Sequence, residues 1–498
     1  MAAIITEKFR QHNATQFFES FTEASASTYY LFVGKATAYT SGTTGGSDSS
    51  PPTPSDSPSD TEFYAWDSML AAKNVTSSDV SFSIPRRNWV NGTTYDMYDD
   101  TVSSSSTATS GASNLYDSTF YFMTSDYRVY KVLDNNGGTA YSGAEPTSTS
   151  TSPFALGGYV LKYMYQVTTS EAAKYLTSDF IPVSDDSTIS AAAVDGKIES
   201  LKVTAGTGYT NGTYYAAVYG DGTSAGTSSG AIVRITVSGG TIQSFGLTAG
   251  SDTTIHAGGA GYTFGTVNLA SGYTFSDSSL SSASGIGGSG GSIEVVISPK
   301  NGHGNSAIVE LGGHFVMTAT TLTQAENDDI TTANDFRQVG LVVDPTNYGT
   351  STVASASTRR QTFVVKASSV SGTFDTDEKI TQATTGAVGK VVEFDSTNQL
   401  LYFQQERFGD FGTNSTTGDH SVFEGTNVIT GATSSATFTP SSSSETITLA
   451  NNNTITTVSG YVNPELQADS GNIVYLENRK PIQRDSDQTE DIKLIIEF

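Results

Sequence analysis

The sequence predicts a multidomain, mainly β protein of the α+β class, with antiparallel β-sandwich or barrel modules and a few short helices. Three observations support this prediction. Twenty-five Tyr and 25 Phe residues are spread along the 498-residue chain beside Val and Ile, residue types that favour strands. Ser, Thr, Gly, Asn and Asp cluster between these segments, as expected for turns. The length predicts about three domains, since one domain usually holds roughly 100–200 residues.

The predicted elements rest on residue type and spacing. Thr6 can cap a helix, and Phe17 and Phe21 lie one turn apart, so Thr6–Phe21 is predicted as a helix. A second short helix is expected over Tyr64–Lys73. Further predicted elements are strands over Thr28–Tyr39, Val80–Trp89 and Gly157–Val167, a hairpin with its turn near Thr124–Asp126, a short helix over Glu171–Leu176 and a last strand ending at Phe498.

The composition changes near residue 195, where Gly and Thr increase and aromatic residues become fewer. An internal repeat follows, in which IESLKVTAGTGYTNGTY at 198–214 is echoed by a similar segment at 242–267. Each copy predicts a strand, a glycine-rich turn and a Gly-Tyr-Thr triplet that begins another strand. The predicted division is an inserted Gly/Thr-rich β-domain at 195–298, a second inserted β-barrel or sandwich module at 351–459, and a core domain built from 1–194, 299–350 and 460–498.

The charge balance and the absence of cysteine limit the function classes. The chain carries 25 Lys and Arg against 50 Asp and Glu, a net charge of −25. No basic cluster suited to a phosphate backbone is visible, so neither nucleic acid nor a membrane is an expected partner. Without cysteine, disulfides and thiolate metal sites are excluded. The segment MAAIITEKFR lacks the pattern of a signal peptide, and no apolar run reaches about 18 residues.

Catalytic motifs are also missing from the sequence. It contains no G-x-S-x-G elbow and no Walker A loop, and its glycine-rich stretches lack the strand–helix setting of a dinucleotide site. Its histidines show no i, i+4 pairing that would suit zinc, and His303 is predicted in a loop; the five are His12, His256, His303, His314 and His420. The sequence predicts a protein that is not an enzyme, with no cofactor and no metal. Paired carboxylates for polysaccharide hydrolysis stay open as an alternative.

Two segments are more specific than the general β pattern. One is IPRRNW at 84–89, and the other is YLENRKPIQRDSDQTE at 475–490. Both resemble segments of the dimeric baseplate wedge protein family of T-even-type phages, in the same order along the chain. Weaker echoes of that family are KFR at 8–10, YRVYKVLD at 127–134, GYVLKYMYQV at 158–167 and FRQVGLVVDP at 336–345. The resemblance covers about half of the chain, all of it outside the two Gly/Thr-rich stretches.

The resemblance implies a structural role in a virion. It implies a homodimeric, non-catalytic subunit of the contractile tail baseplate, assembled in the host cytoplasm, that contacts other wedge subunits and proteins that carry fibres. The two Gly/Thr-rich stretches depart from that family and resemble β-repeats in structural proteins of marine T-even-like phages. Their Tyr-rich character supports an alternative function, a carbohydrate-binding adhesin or tail-fibre-associated protein, although no coiled-coil heptads are visible.

The candidate site residues lie in the two specific segments, and two interpretations stay open for them. Arg makes planar, bidentate contacts with carboxylates, so these residues could bind an acidic partner strand or a second copy across a two-fold axis. Equally, they could hold the chain's own fold together through internal ion pairs and packing. The candidates are Arg86, Arg87, Trp89, Glu477, Asn478, Arg479, Arg484, Asp487 and Gln488.

Overall fold

The computed structural model describes nine parts of the chain: residues 5–39, 45–55, 61–227, 230–270, 273–322, 335–406, 420–449, 454–483 and 489–498. The chain divides into two compact units. Unit 1 comprises Met1–Gln16, Ser81–Met317 and Ile495–Phe498, and unit 2 comprises Phe17–Val80 and Thr318–Leu494. The three-part division into a core and two inserted modules remains a prediction.

The described residues form few helices and many short strands. The helices are α1 Glu7–Glu19, α2 Thr61–Ser68, α3 Thr169–Tyr175, α4 Ser187–Ala192 and α5 Ala307–Glu310. The strands are β1 Tyr29–Gly34, β2 Met69–Val75, β3 Val80–Pro85, β4 Tyr121–Met123, β5 Arg128–Asp134, β6 Phe154–Leu156, β7 Tyr159–Gln166, β8 Phe180–Val183, β9 Ser200–Tyr209, β10 Gly212–Gly220, β11 Ile232–Ser238, β12 Thr241–Ile242, β13 Thr254–Ala257, β14 Gly265–Val267, β15 Gly287–Val296, β16 Phe315–Leu322, β17 Phe336–Val343, β18 Thr358–Arg360, β19 Phe363–Ser371, β20 Lys379–Gln382, β21 Ala387–Asp395, β22 Leu400–Gln404, β23 Ile429–Gly431, β24 Thr437–Pro440, β25 Thr446–Thr448, β26 Thr454–Thr456, β27 Tyr461–Val462, β28 Asn472–Ile482 and β29 Glu490–Glu497.

An antiparallel sheet of order β4-β5-β7-β6 organises one part of unit 1. Side chains alternate between the faces of a strand, so Tyr130 and Val132 of β5 join an aromatic core that includes Phe122 and Tyr159. Lys131 lies between them on the opposite face and is fully buried. Burial on both faces explains why the middle of each strand, VYKVL in β5 and VLKYMY in β7, is apolar except for one lysine.

The Gly/Thr-rich stretch 195–298, which is predicted to be an insertion, folds within unit 1 as one seven-stranded sheet. Its order is β12-β11-β10-β14-β15-β9, and β13 pairs with β11. Its core includes Leu201, Val218 and Ile235. Gly196, with φ +60°, lies where the insertion begins, and a Cβ there would lie 2.2 Å from the Tyr262 nitrogen. Only glycine therefore fits this close approach of two backbone segments.

Unit 2 contains a five-stranded antiparallel sheet of order β18-β2-β1-β17-β28, with β1 at its centre. β1 is paired on both sides, and its YYLFVG sequence is buried throughout, which shows that both faces of the sheet are covered at this strand. A second sheet of unit 2 has the order β22-β21-β20-β23-β24-β19-β27, and β22 also pairs with β19. This additional pairing closes six of the strands into a ring, which removes their free edges.

Two further sheets complete the described strands. They are the four-stranded sheet β29-β16-β3-β8 and the hairpin β25-β26.

The predicted mainly β, α+β fold class is confirmed. Antiparallel sheets dominate in sandwich and near-barrel arrangements, and the helices are short. The predicted hairpin is also present, with its turn between β4 and β5. The prediction of a helix over Tyr64–Lys73 is wrong in its second half. Helix α2 ends at Ser68, and the residues from Met69 onward form β2, which pairs with β1 and β18.

Candidate functional site: surface segments and a buried ionic cluster

Arg86 follows strand β3 and contacts its own chain. Its Nε donates a hydrogen bond to Asn88 Oδ1 (2.9 Å), and a terminal guanidinium nitrogen donates to the Thr177 carbonyl (2.6 Å). The backbone nitrogen of Arg86 also donates to the Asp179 carbonyl (2.7 Å). Arg86 therefore joins β3 to the segment between α3 and β8.

The side chains of Arg87 and Trp89 also contact residues of unit 1. The Arg87 guanidinium carbon lies 4.4 Å from the centroid of the Tyr121 ring, and one of its nitrogens donates to the Tyr116 carbonyl (2.7 Å). Trp89 packs edge-on against Tyr141, with ring centroids 5.9 Å apart. These contacts favour the fold-maintaining interpretation of IPRRNW. The interface role of both arginines stays a prediction.

Three of the C-terminal candidates, Glu477, Asn478 and Arg479, lie on β28, an edge strand of the five-stranded sheet. Asn478 accepts a hydrogen bond from Gln338 on the neighbouring strand (2.8 Å) and donates one to the Pro52 carbonyl (2.9 Å), so its side chain stabilises unit 2. Glu477 and Arg479 form a looser pair at 3.7 Å, with side chains 38% and 48% exposed. These two charges are the more accessible part of the motif. Arg484, Asp487 and Gln488 lie outside the described residues.

Unit 1 also contains a buried ionic cluster that the sequence analysis missed. Lys131 of β5 and Glu310 of α5 are in direct contact through Nζ and Oε2, with side-chain exposures of 0% and 2%. The other carboxylate oxygen of Glu310 accepts hydrogen bonds from the backbone nitrogens of Gly304 (2.7 Å) and Ser306 (3.3 Å). Burial of this charged pair is energetically costly, because removing each ion from water costs several kcal/mol.

Two further ionisable groups lie close to this pair. Lys162 of β7 is opposite Lys131 in the strand register and is only 1% exposed. His303 is also 1% exposed, and neither of its ring nitrogens has a hydrogen-bond partner among the described residues. Burial, together with the charges of the nearby lysines, holds the pKa of His303 well below its usual value. His303 is in a loop, as predicted, but its burial was not foreseen.

Lys131 and His303 both contact the aromatic ring of Tyr98. Lys131 Nζ lies 4.8 Å from the centroid of this ring, and the His303 ring packs edge-on against it at 5.0 Å. The signal in the sequence was the presence of Lys131 and Lys162 in the middle of two otherwise apolar strands, RVYKVLD and YVLKYMYQ. Lysine is almost never fully buried unless it has a partner.

Unit 2 has a cavity of about 280 Å³. Its wall combines aromatic rings with amide side chains, and these include Trp66, Tyr348, Phe363, Gln404 and Gln467. Elsewhere, the described residues offer no group of three acidic or histidine side chains placed to hold a metal ion. No helix in the described part of the chain is both long and apolar enough to span a membrane.

A family model described as Bacteriophage T4, Gp8 matches residues 3–151 and 442–498 of the chain. The match supports a structural subunit of a phage baseplate. It includes both specific segments, IPRRNW and the C-terminal motif, whereas all of the 195–298 stretch lies outside it. The Gp8 match thus supports the expected T4-like baseplate wedge and its place in the virion tail. No curated protein matches the chain significantly.

Proposed function

We propose that the chain forms a homodimer that links other wedge proteins at the periphery of the baseplate, without catalysis, after assembly in the host cytoplasm. The observation that carries this proposal is the Gp8 family match at both ends of the chain, which includes the two motifs whose resemblance implies a dimer. Other wedge subunits and fibre-carrying proteins are the further partners proposed. All of the 195–298 stretch and most of the 351–459 stretch lie outside the match. Their resemblance to β-repeats of marine T-even-like phages supports an origin in such a phage.

Strand β28 offers the surface for the proposed self-association. It is the longest strand described, with 11 residues, and it lies at the edge of its sheet next to β17. An edge strand presents unpaired backbone groups that a second strand can complete. Val474 on this strand is 50% exposed, although it is apolar. A second copy of β28, paired antiparallel, would cover both features.

The charged side chains of β28 are arranged so that two copies of the strand would complement each other across a two-fold axis. Each copy carries a net charge of −25, so the dimer must overcome repulsion through local complementarity. Glu477 and Arg479 lie two positions apart and therefore on one face of the strand. In an antiparallel pair centred on Asn478, each Glu477 would be opposite Arg479 of the second copy. An isologous interface requires this kind of self-complementary pattern.

Size-exclusion chromatography coupled to light scattering measures the molar mass of the chain in solution and so tests the proposal directly. The chain of 52.2 kDa is expected to elute with twice that mass, and Val474→Lys is expected to give the monomer because a charge would enter the paired edge. Val458→Lys is the matched control, since Val458 is 72% exposed in the same unit but lies outside β28. A wild-type chain that stays monomeric and co-purifies with no other wedge subunit of its phage would contradict the proposal.

The cavity in unit 2 favours a second candidate function, binding of a carbohydrate. Aromatic faces suit the apolar faces of sugars, and amide side chains suit their hydroxyl groups. The volume of about 280 Å³ suits one small ring rather than a long oligosaccharide. A glycan array probed with the full chain and with Tyr348→Ala checks this function. Signals that are equal for both proteins, or absent from both, would reject it.

A further inference from the structure

The geometry points to an internal amide cross-link in unit 1, formed by condensation of the Lys131 amine with the Glu310 carboxyl group. This inference does not depend on the proposed function, because it rests only on the buried ionic cluster. Lys131 and Glu310 are 179 positions apart in the chain, and they are in direct contact. Their side-chain exposures of 0% and 2% show that the contact is buried away from bulk water.

Three effects of burial favour the reaction. Two reacting groups held in contact behave as if their concentrations were very high, with effective molarities of about 10⁵–10⁸ M in well-oriented systems. Exclusion of water also opposes the reverse reaction, hydrolysis. In addition, a neutral amide replaces a buried ion pair, whose desolvation is costly. The folded chain therefore supplies both the proximity and the driving force.

Lys131 has surroundings that favour a neutral, nucleophilic amine. Burial lowers the pKa of Lys131, which offsets the opposing effect of Glu310. Lys162 lies directly opposite on β7, and like charges at opposite positions of a strand pair destabilise each other. A neutral amine is the reactive form of Lys131, because its nitrogen lone pair is then free to attack.

The carboxyl group of Glu310 is held in a polarising position. Its Oε1 accepts hydrogen bonds from the backbone nitrogens of Gly304 (2.7 Å) and Ser306 (3.3 Å). Two backbone N–H groups directed at one oxygen stabilise the negative charge that develops there when a nucleophile attacks the carbon. The same two donors would serve the carbonyl oxygen of the amide product.

His303 lies beside the reacting groups without hydrogen-bonding to them. It precedes Gly304 and packs on the Tyr98 ring that Lys131 also contacts, and neither of its ring nitrogens has a hydrogen-bond partner among the described residues. Burial and the charges of the nearby lysines hold its pKa well below the usual value, so the ring is neutral. His303 therefore adds no further positive charge beside the Lys131 amine.

The step balances without a further reactant. The Lys131 nitrogen lone pair attacks Cδ of Glu310, the new C–N bond forms, and the bond from Cδ to Oε2 breaks. The ammonium group and the carboxylate together hold three protons; one stays on the amide nitrogen, and two leave with Oε2 as water. No oxidation or reduction takes place.

The cross-link would close a covalent ring around the Gly/Thr-rich insertion, because residues 195–298 lie between the two linked positions. Pulling force applied outside the ring would then pass through the amide bond and bypass the insertion. Such a bond would raise the resistance of unit 1 to unfolding under force.

Mass spectrometry of the intact, full-length chain tests the inference. After the folded protein has been incubated and then denatured, its mass is expected to be lower than the sequence mass by one water. Proteolysis is expected to yield a branched peptide that joins the Lys131 and Glu310 segments. Lys131→Arg keeps the positive charge but removes the amine nucleophile, so this variant is expected to show the full sequence mass.

Three results would overturn the inference: a wild-type chain at its full sequence mass, a loss of water that persists in Lys131→Arg, or a loss of water without the branched peptide. The last result would indicate dehydration at another site. If Lys131→Arg fails to fold, the wild-type branched peptide remains decisive by itself.

Discussion

The guanidinium carbon of Arg87 lies 4.4 Å from the centroid of the Tyr121 ring, so a cation covers an almost fully buried aromatic face. Burial raises the pKa of the Tyr121 hydroxyl group, which donates to the Pro85 carbonyl (2.7 Å). Arg87 is thus fixed to the segment around β3 and β4 by stacking and by its hydrogen bond to Tyr116. A side chain with this much internal contact differs in kind from the exposed Arg479.

Arg87→Ala and Arg479→Ala separate the fold-maintaining role from the interface role. Arg87→Ala is expected to destabilise unit 1 by about 2 kcal/mol, because it removes a cation–π contact and a charged hydrogen bond. Arg479→Ala is expected to change the stability by less than about 0.5 kcal/mol, but to weaken the dimer. Urea unfolding and light scattering on both variants check these outcomes. The reverse pattern would assign the partner contact to Arg87.

Asp134 at the end of β5 makes the stability of unit 1 depend on pH. Burial raises the pKa of Asp134 to about 6, against an ordinary value of 3.8. The folded state therefore binds a proton more tightly than the unfolded state. The free energy of unfolding is expected to fall as the pH rises from about 4 to about 6, by up to about 3 kcal/mol from this group, and then to level off.

Asp134→Asn isolates this contribution. Asparagine can keep the hydrogen bond that the carboxylate accepts from the Asn136 nitrogen (2.9 Å), while it removes the buried charge. The variant is expected to be more stable than the wild type at pH 7 by about 1–3 kcal/mol, and the advantage should shrink toward pH 4. Urea unfolding of both proteins at several pH values measures the difference. An advantage that stays constant with pH would contradict the assignment.

Gly196→Ala is expected to disrupt the base of the Gly/Thr-rich insertion. The added Cβ would lie 2.2 Å from the Tyr262 nitrogen, and backbone on both sides would have to move. We expect a loss of about 3 kcal/mol or more, and loss of hydrogen-exchange protection in β9–β15. Gly239→Ala is the matched control: its φ of +61° is nearly the same, but nothing lies within 4 Å of its Cβ, so only about 1–2 kcal/mol of backbone strain is expected. Equal losses would show that strain, and not the close approach, is decisive.

Glu378→Gln is expected to destabilise the ring of strands in unit 2. The Glu378 carboxylate accepts hydrogen bonds from the backbone nitrogens of Asp375, Thr433 and Ser434 at 2.8–3.0 Å, and from the Ser434 hydroxyl group (2.6 Å). Burial raises the pKa of Glu378, but these hydrogen bonds outweigh it and hold the pKa below its usual value. The amide nitrogen of glutamine cannot accept such bonds, so a loss of about 2–4 kcal/mol is expected.

The contribution of Glu378 to the free energy of unfolding depends on pH within a defined range. Because its folded pKa is depressed, its contribution is complete above the ordinary value of 4.5 and is lost as the pH falls through the folded pKa. Thermal unfolding at pH 7 should show the destabilisation in Glu378→Gln and not in Glu445→Gln, where the residue is exposed. A large effect at Glu445, or none at Glu378, would reject this explanation.

Local sequence patterns predicted strands that are rich in aromatic and β-branched residues, such as YYLFVG of β1. The error at Met69–Val75 has a physical cause. MLAAKNV contains Met, Leu, Ala and Lys, which favour helices in isolation, but pairing with β1 and β18 imposes the extended form. Long-range partners override local propensity, and they cannot be seen in a window of a few residues.

The same limit applies to the candidate site. The motif IPRRNW identified Arg86 as special, but its partner, the Thr177 carbonyl, is 91 positions away. The ionic cluster was missed for a related reason. Lys131 and Glu310 are unremarkable as residue types, and only the register of β5 and β7 and the path of the chain to α5 bring them together.

The two ends of the Gly/Thr-rich insertion meet at Asp195. Its carboxylate accepts a hydrogen bond from the Asn301 nitrogen (2.6 Å), and its carbonyl accepts one from Gly261 (2.7 Å). The chain therefore leaves the rest of unit 1 and returns to it at almost the same point, which is the geometry that tolerates domain insertion. A segment anchored in this way can be lengthened or shortened while the segments on either side keep their register.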